Sequence, residues 1–222
     1  GSKLSDARES AVWEGIANAR IHRMKLGPEH IYRATLLDAM GRLREHQGLY
    51  EESQQILAQA IEIRSESLGQ NAPGNVRIMN NLGIAFYRYG RYEDAARWID
   101  RARRIAKDAF GPGHPSYANS LSALSVALNR LGKTDEALEL ARSALTIQTQ
   151  ALGPDALAVG TINNNIGRML HNLERYDDAL ERMREAIRIY RRVHGDTHPQ
   201  LGHPLYDSGR VYETLSDHES AS

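Results

Sequence analysis

Three short runs decide the fold: Met79-Asn80-Asn81-Leu82-Gly83, Tyr89-Gly90-Arg91-Tyr92-Glu93-Asp94-Ala95-Ala96 and Phe110-Gly111-Pro112-Gly113-His114-Pro115. Together they read as one unit of two helices, each closed by a glycine turn. Steps of 42 residues from Gly111 meet Gly27, Gly69, Gly153 and Gly195. The same step from Gly90 gives Gly48, Gly132, Glu174 and Ser216, and from Gly83 it gives Gly41, Ser125, Gly167 and Gly209. Three ladders with one period mean a repeat array, in which no unit buries its apolar face alone.

The period sets the elements. First helices are predicted near 31–46, 74–88, 115–130, 157–172 and 199–214, and second helices near 50–67, 92–109, 134–151 and 176–193. Residues 5–26 read as a further second helix whose first helix is missing, so the N-terminus is expected to be a cut inside a longer array. Residues 217–222 read as the start of another second helix, with fraying expected after about 214. The glycines that end second helices are expected to adopt a left-handed conformation, free of a Cβ clash. Pro73, Pro115 and Pro199 open first helices, where a missing N–H costs little. Acids open second helices, as in Glu51-Glu52 and Glu93-Asp94, facing the positive end of the helix dipole. Small residues recur where helices should cross: Ala60, Ala102, Ala144 and Ala186 form one ladder, and Ser53, Ala95, Ala137 and Ala179 another.

Bulk properties narrow the function. Lys plus Arg and Asp plus Glu are 28 each, so the chain lacks the positive charge of a dedicated nucleic-acid binder. The sequence has no cysteine, which leaves neither a disulfide framework nor a cysteine zinc site and accords with a reducing, cytoplasmic location. No apolar run reaches the length of a membrane span. Gly1-Ser2 reads as a tag-cleavage remnant.

The spacing of Gly83, Phe86, Gly90, Tyr92, Ala95 and Ala102 resembles the tetratricopeptide repeat. The longer period and the Gly-x-x-His-Pro turns at Gly111–Pro115 and Gly195–Pro199 are similar to the kinesin light chain type. The resemblance implies an all-α, right-handed superhelical α-solenoid of antiparallel helix pairs. It implies a single array over 3–222: a half repeat at 5–26, repeats at about 27–68, 69–110, 111–152 and 153–194, and a partial repeat at 195–222. It also implies that first helices line a concave groove. Ala72 and Ala156 replace the turn histidine, Ile31 and Leu157 the turn proline, and Glu174 and Ser216 the inter-helix glycine, so those turns are expected to differ locally.

Mapping groove slots by that resemblance gives three rows. Row one is Arg77, Asn80, Asn81, Ile84, Tyr87 and Arg88; row two is Asn119, Ser122, Ala123, Val126, Asn129 and Arg130; row three is Thr161, Asn164, Asn165, Arg168, His171 and Asn172. The rows contain no Asp or Glu, whereas the outer rows carry Asp38, Glu45, Asp207 and Glu213. Asparagine is poor inside a helix, because its amide competes for backbone hydrogen bonds. Here it is expected to hold an extended peptide backbone with its donor and acceptor. The arginines are expected to pair with acidic side chains, and Ile84, Val126 and Tyr87 to seat bulky ones. The weighed alternative is that the asparagines satisfy backbone groups between helices and the arginines are solvated.

No catalytic set emerges. Ser122 and His171 lack an orienting acid, the glycines are spaced by turns rather than as a phosphate loop, and His198 is a turn residue, which weighs against metal binding by His194, His198 and His203. The basic runs at 97–107 and 182–192 fall on second helices, with Glu93–Arg97, Asp100–Arg104 and Asp178–Arg182 at the spacing of a solvated helix face. The expectation is a scaffold, without enzymatic activity, cofactor or metal, that binds an extended, acidic segment of a protein partner. Alternatives left open are a regulatory or sensor region of a larger signalling kinase or ATPase, and weak self-association through exposed terminal repeats.

Overall fold

The computed structural model describes residues 31–196 and 201–221, and side chains as far as 216. Among these residues the chain is helical without strands: α1 (Ile31–His46), α2 (Tyr50–Leu68), α3 (Asn75–Arg88), α4 (Tyr92–Phe110), α5 (Pro115–Arg130), α6 (Thr134–Leu152), α7 (Leu157–Asn172), α8 (Tyr176–His194) and α9 (Gly202–Ala221). The helix expected over 5–26 and the turn residues His30, His198 and Pro199 lie outside the described residues. The chain divides into two compact units, Gly1–Ile105 and Ala106–Ser222. In each, first and second helices alternate and pack on their sequence neighbours as antiparallel pairs.

The crossings depend on small residues. Ala60, Ala102, Ala144, Ala186, Ser53, Ala95, Ala137 and Ala179 are all fully buried. In the facing slot of the first helices, a Cβ on Gly83 would lie 2.3 Å from Ile99 Cγ1 and 3.2 Å from the Ala95 carbonyl oxygen. A Cβ on Gly167 would lie 2.8 Å from Met183 Cγ and 3.1 Å from the Ala179 carbonyl oxygen. Backbone meets backbone here, and larger side chains fill the seam on either side: Leu82, Leu124, Ile166 and Leu170 are all buried.

Two turn types carry positive φ for different reasons. Between first and second helices, Gly48, Gly90 and Gly132 sit at φ 77–89°, and Glu174 takes the same left-handed place at φ 59°. After the second helices the conformation is not the left-handed helical one expected from sequence. Gly153 has φ 86° and ψ 160°, and Gly195 φ 80° and ψ 174°. That is an extended region essentially closed to any residue with a Cβ.

Each turn is fixed by its own device. His114 caps α5 by accepting the Ser116 N–H at Nδ1 (3.0 Å), and its ring stacks on Phe110. The turn with Ala72 lacks that cap. There the fully buried Asn75 donates to the carbonyls of Gly69 and Gln70 and accepts from Arg64 Nε. The turn with Ala156 is held from outside, by Arg188 at 2.8 Å and Arg192 at 2.9 Å from Asp155.

The last helix departs from expectation. It runs unbroken from Gly202 to Ala221, through the slot where other repeats turn. Serine at 216 gives the chain no cheap left-handed exit, so the hydrogen-bond ladder continues. Its seam residues Leu205 and Tyr212 are exposed while Val211 is fully buried, and a Cβ on Gly209 would meet nothing within 4 Å. The slot that elsewhere receives a second helix is open on α9.

Two of the expected ion pairs on second helices are replaced. Asp100 binds Arg104 at 2.6 Å as expected, but also Arg103 at 2.7 Å. Arg97 instead bonds Asp94, and Asp178 instead bonds Arg175 at 2.8 Å. Arg91 and Arg175 stand just before their helices and reach forward to the acid three residues on.

Candidate functional site

The predicted groove residues occupy first helices α3, α5 and α7. Row one therefore belongs to the first unit and rows two and three to the second. Arg77, Ile84, Arg88, Asn119 and Arg130 are exposed. Asn80, Asn81, Tyr87, Ser122, Val126, Asn129, Asn165, Arg168 and His171 are half-buried, and Asn164 is buried.

Many of these side chains are tied to the first helix of an adjacent repeat. In the first unit, Asp38 of α1 is almost wholly buried. It accepts from Asn81 Nδ2 at 2.8 Å and from Arg77, one helical turn before Asn81 on α3. Glu45 binds Arg88 Nε at 3.1 Å. In the second unit the acid changes sides: Asp207 of α9 accepts from Asn164 Nδ2 at 3.0 Å and lies 3.9 Å from Arg168 Nε. Asn172 donates to Asn129 at 3.2 Å, and His171 Nε2 pairs with Thr214 Oγ1 at 3.3 Å.

The separations repeat: Asp38 to Asn81, Asn164 to Asp207, Asn129 to Asn172 and His171 to Thr214 are each 43 residues, one more than the period. A side chain on one first helix therefore meets the next position of the following repeat. The asparagines mostly bridge side chain to side chain, rather than only satisfying backbone. Three of the outer acids, Asp38, Glu45 and Asp207, are partners of the arginines themselves.

Second helices contribute as well. Gln148 of α6 is fully buried and donates to Asn119 Oδ1 at 2.6 Å, and Tyr190 of α8 shares a 2.7 Å hydrogen bond with Thr161. Asn119–Gln148 and Thr161–Tyr190 are both 29 residues apart, one structural device used in two consecutive repeats.

The arginines differ in how they are neutralised. Arg77 and Arg88 each face a carboxylate. In the second unit Arg130, Arg168, His171, Asn129, Asn172, Asp207 and Arg210 line one pocket of about 150 Å3 with buried Met183. Arg210 stands 42 residues after Arg168, in the same slot, on a helix beyond the three predicted rows. Its guanidinium makes no hydrogen bond or ion pair among the described residues. Burial lowers the pKa of His171 below the ordinary imidazole value, Arg210 lowers it further and Asp207 opposes both. Among the described residues no cluster of His, Asp or Glu could hold a metal ion, and no helix is long and apolar enough to cross a membrane.

The tetratricopeptide repeat model matches residues 32–108, 90–150 and 158–222. A search of curated protein sequences finds no significant match. Among solved structures, BtubC (BKLC) from P. vanneervenii superposes with a TM-score of 0.73 at 20% identity, covering 97% of this chain and 84% of that one. A Podosopora anserina protein with nearly identical TPR-like repeats of kinesin light chain type superposes with a TM-score of 0.68 at 20% identity, covering 86% and 91%. At such identity the likeness is one of fold: stacked helix pairs of the α-solenoid class.

Proposed function

Because the chain belongs to the tetratricopeptide repeat family, whose members are in general protein–protein interaction scaffolds, we propose that it binds an extended segment of a protein partner on its first helices. The seats are row one in the first unit and rows two and three in the second. One observation carries the reading: polar first-helix side chains are fixed in place by cross-repeat bonds while their faces stay accessible. Asn81, Asn129 and His171 are each hydrogen-bonded and only half-buried. A surface ordered before binding loses less entropy when a flexible peptide settles on it. Ile84, exposed beside Arg88, and half-buried Val126 offer apolar footing for ligand side chains.

An acidic ligand remains the preferred partner. Its seat shifts toward the second unit, since Asp38 and Glu45 already compensate Arg77 and Arg88. The scaffold acts without catalysis, and the cytoplasmic location belongs to this same reading. The test is selection of binding segments from a displayed peptide library, followed by photo-crosslinking. Crosslinkers placed at Ser122 and Asn165 should capture the selected peptide, and one placed at Arg103 on a second helix should not. Capture from Arg103 alone would move the site to the other face.

A further inference from the structure

We propose that α9 pairs with α9 of a second copy of this chain, antiparallel, about a twofold axis near Asp207. The pairing does not depend on the peptide reading, whose seats lie on α3, α5 and α7. In three helix pairs a first-helix glycine is a socket for one large side chain of the second helix that follows. An added Cβ would lie 2.5 Å from Leu57 at Gly41, 2.3 Å from Ile99 at Gly83 and 2.8 Å from Met183 at Gly167. One row along, Gly160 faces Ile189 at 3.2 Å. On α9 these two slots hold Gly209 and Gly202, each 42 residues after Gly167 and Gly160. A Cβ at either would meet nothing within 4 Å. The stripe is thus the seam that α7 offers to α8, one repeat on and open. The helix itself is anchored, since Leu201 just before it packs on Ala186 and Tyr190 of α8 and Val211 is fully buried.

The empty sockets alternate with large side chains. Leu205 and Tyr212 are 46% and 48% exposed on the same stripe. Arg184 of α8 donates to the Tyr212 hydroxyl at 2.9 Å, which steadies that ring. The order Gly202, Leu205, Gly209, Tyr212 has the three- and four-residue spacing of a helix–helix seam. Reversed, it is its own complement. In an antiparallel pair centred on residue 207, Leu205 of each copy enters at Gly209 of the other, and Tyr212 enters at Gly202. Every layer then sets large against small, as the pairs within the chain do. Tyr206, at 69% the most exposed large apolar side chain described, meets its own copy beside the axis. Asp207 is turned away to Asn164 of its own chain at 3.0 Å, so the two carboxylates do not oppose each other across the seam.

A different occupant would be residues 5–26 of a second copy. In the second-helix register that segment places Gly15 where Leu57, Ile99 and Met183 stand, so it lacks the side chain that fills the Gly209 socket. One helix face is small beside the roughly 800 Å2 per partner of a standard interface, so the dimer is expected to be weak, with a Kd on the order of 10–100 μM. An isologous contact of this kind closes at two copies.

The test is sedimentation velocity of the full chain from about 1 to 300 μM, which brackets that Kd. Wild type should pass from monomer to dimer and stop there. Gly209→Leu places its Cβ in open space in the monomer but fills the socket. It should weaken association at least about tenfold without lowering the thermal midpoint of the dilute protein. Leu205→Ala should weaken association comparably, and Leu152→Ala, a similarly exposed leucine on α6, should not. Tyr206→Cys, in a chain with no cysteine of its own, should join to itself under a short bismaleimide, and Leu152→Cys should not. If Gly209→Leu fails to fold, Leu205→Ala and the crosslink decide. A monomer at every concentration, association indifferent to Gly209→Leu and Leu205→Ala, or absence of the Tyr206→Cys crosslink would overturn the proposal. Growth past two copies would also overturn it, in favour of head-to-tail contact through residues 5–26.

Discussion

Asn164 donates a side-chain hydrogen bond to Asp207, 43 residues later, at 3.0 Å, and the same two slots are filled in reverse by Asp38 and Asn81 at 2.8 Å. One end of each bridge is an asparagine and the other a carboxylate, whichever repeat supplies them. The bridges are therefore part of how neighbouring repeats are held in register, and they should be visible in stability. Asn81→Ala leaves the nearly buried Asp38 with a weaker set of donors and should cost about 1–3 kcal/mol in a chemical melt. Asn119→Ala, at an exposed position, leaves buried Gln148 only its longer 3.4 Å bond to the Pro115 carbonyl and should cost about 1 kcal/mol. Arg103→Ala on a second helix should stay within about 0.5 kcal/mol. Losses of equal size at all three sites would mean the bridges are incidental.

One slot, two environments, gives a second prediction. Gly83→Ala places a methyl 2.3 Å from Ile99 and should destabilise by about 1–3 kcal/mol. Gly209→Ala, in the same slot of α9, meets nothing and should stabilise that helix by up to about 1 kcal/mol through propensity alone. If both substitutions destabilise equally in thermal melts, α9 is covered in solution.

The turns supply a third. Glu174 holds a left-handed conformation that its Cβ disfavours, so Glu174→Gly should stabilise by about 0.5–1 kcal/mol. Gly153→Ala has open space around its new methyl, yet should destabilise by about 1–3 kcal/mol from backbone conformation alone. A neutral Gly153→Ala would show that the turn rearranges freely.

The helices and the crossing ladder were legible in the sequence because they depend on a periodic pattern: Gly83, Ala95 and Ala102 must be small wherever two helices cross. The side-chain bridges were not. Asp38 and Asn81 are related by 43 residues, and that offset appears only once stacking brings position n of one repeat against position n+1 of the next. For the same reason Asp38 and Asp207 looked like flanking acids rather than partners of Arg77 and Arg168. Arg210 could have been found by extending the Arg168 slot one more period. Asn75 could not, because its role exists only where Ala72 fails to supply a cap. The run-on of α9 follows from Ser216, where the sequence pattern alone placed a break by analogy with Gly132.

Protonation gives a fourth prediction. His171 has its pKa lowered by burial, then by Arg210, so the unfolded chain takes up this proton first, near the ordinary value of 6.5. Its contribution is fully present above that pH and is lost as pH falls through 6.5 toward the folded value. His171→Gln should flatten this part of the pH–stability curve, and Arg210→Gln should shift the His171 resonance titration upward. An unchanged titration in Arg210→Gln would remove the electrostatic link between the two residues.

Ligands are expected to meet the first-helix face and to be selected by its charge. The most direct measurement is the affinity of a library-selected segment for three proteins at moderate salt: wild type, Arg130→Ala with Arg168→Ala, and Arg103→Ala with Arg104→Ala. The first pair should lose about 1–2 kcal/mol per arginine, shrinking as salt rises, and the second pair should lose nothing. A greater loss in the Arg103 and Arg104 pair would place binding on the second helices and contradict it.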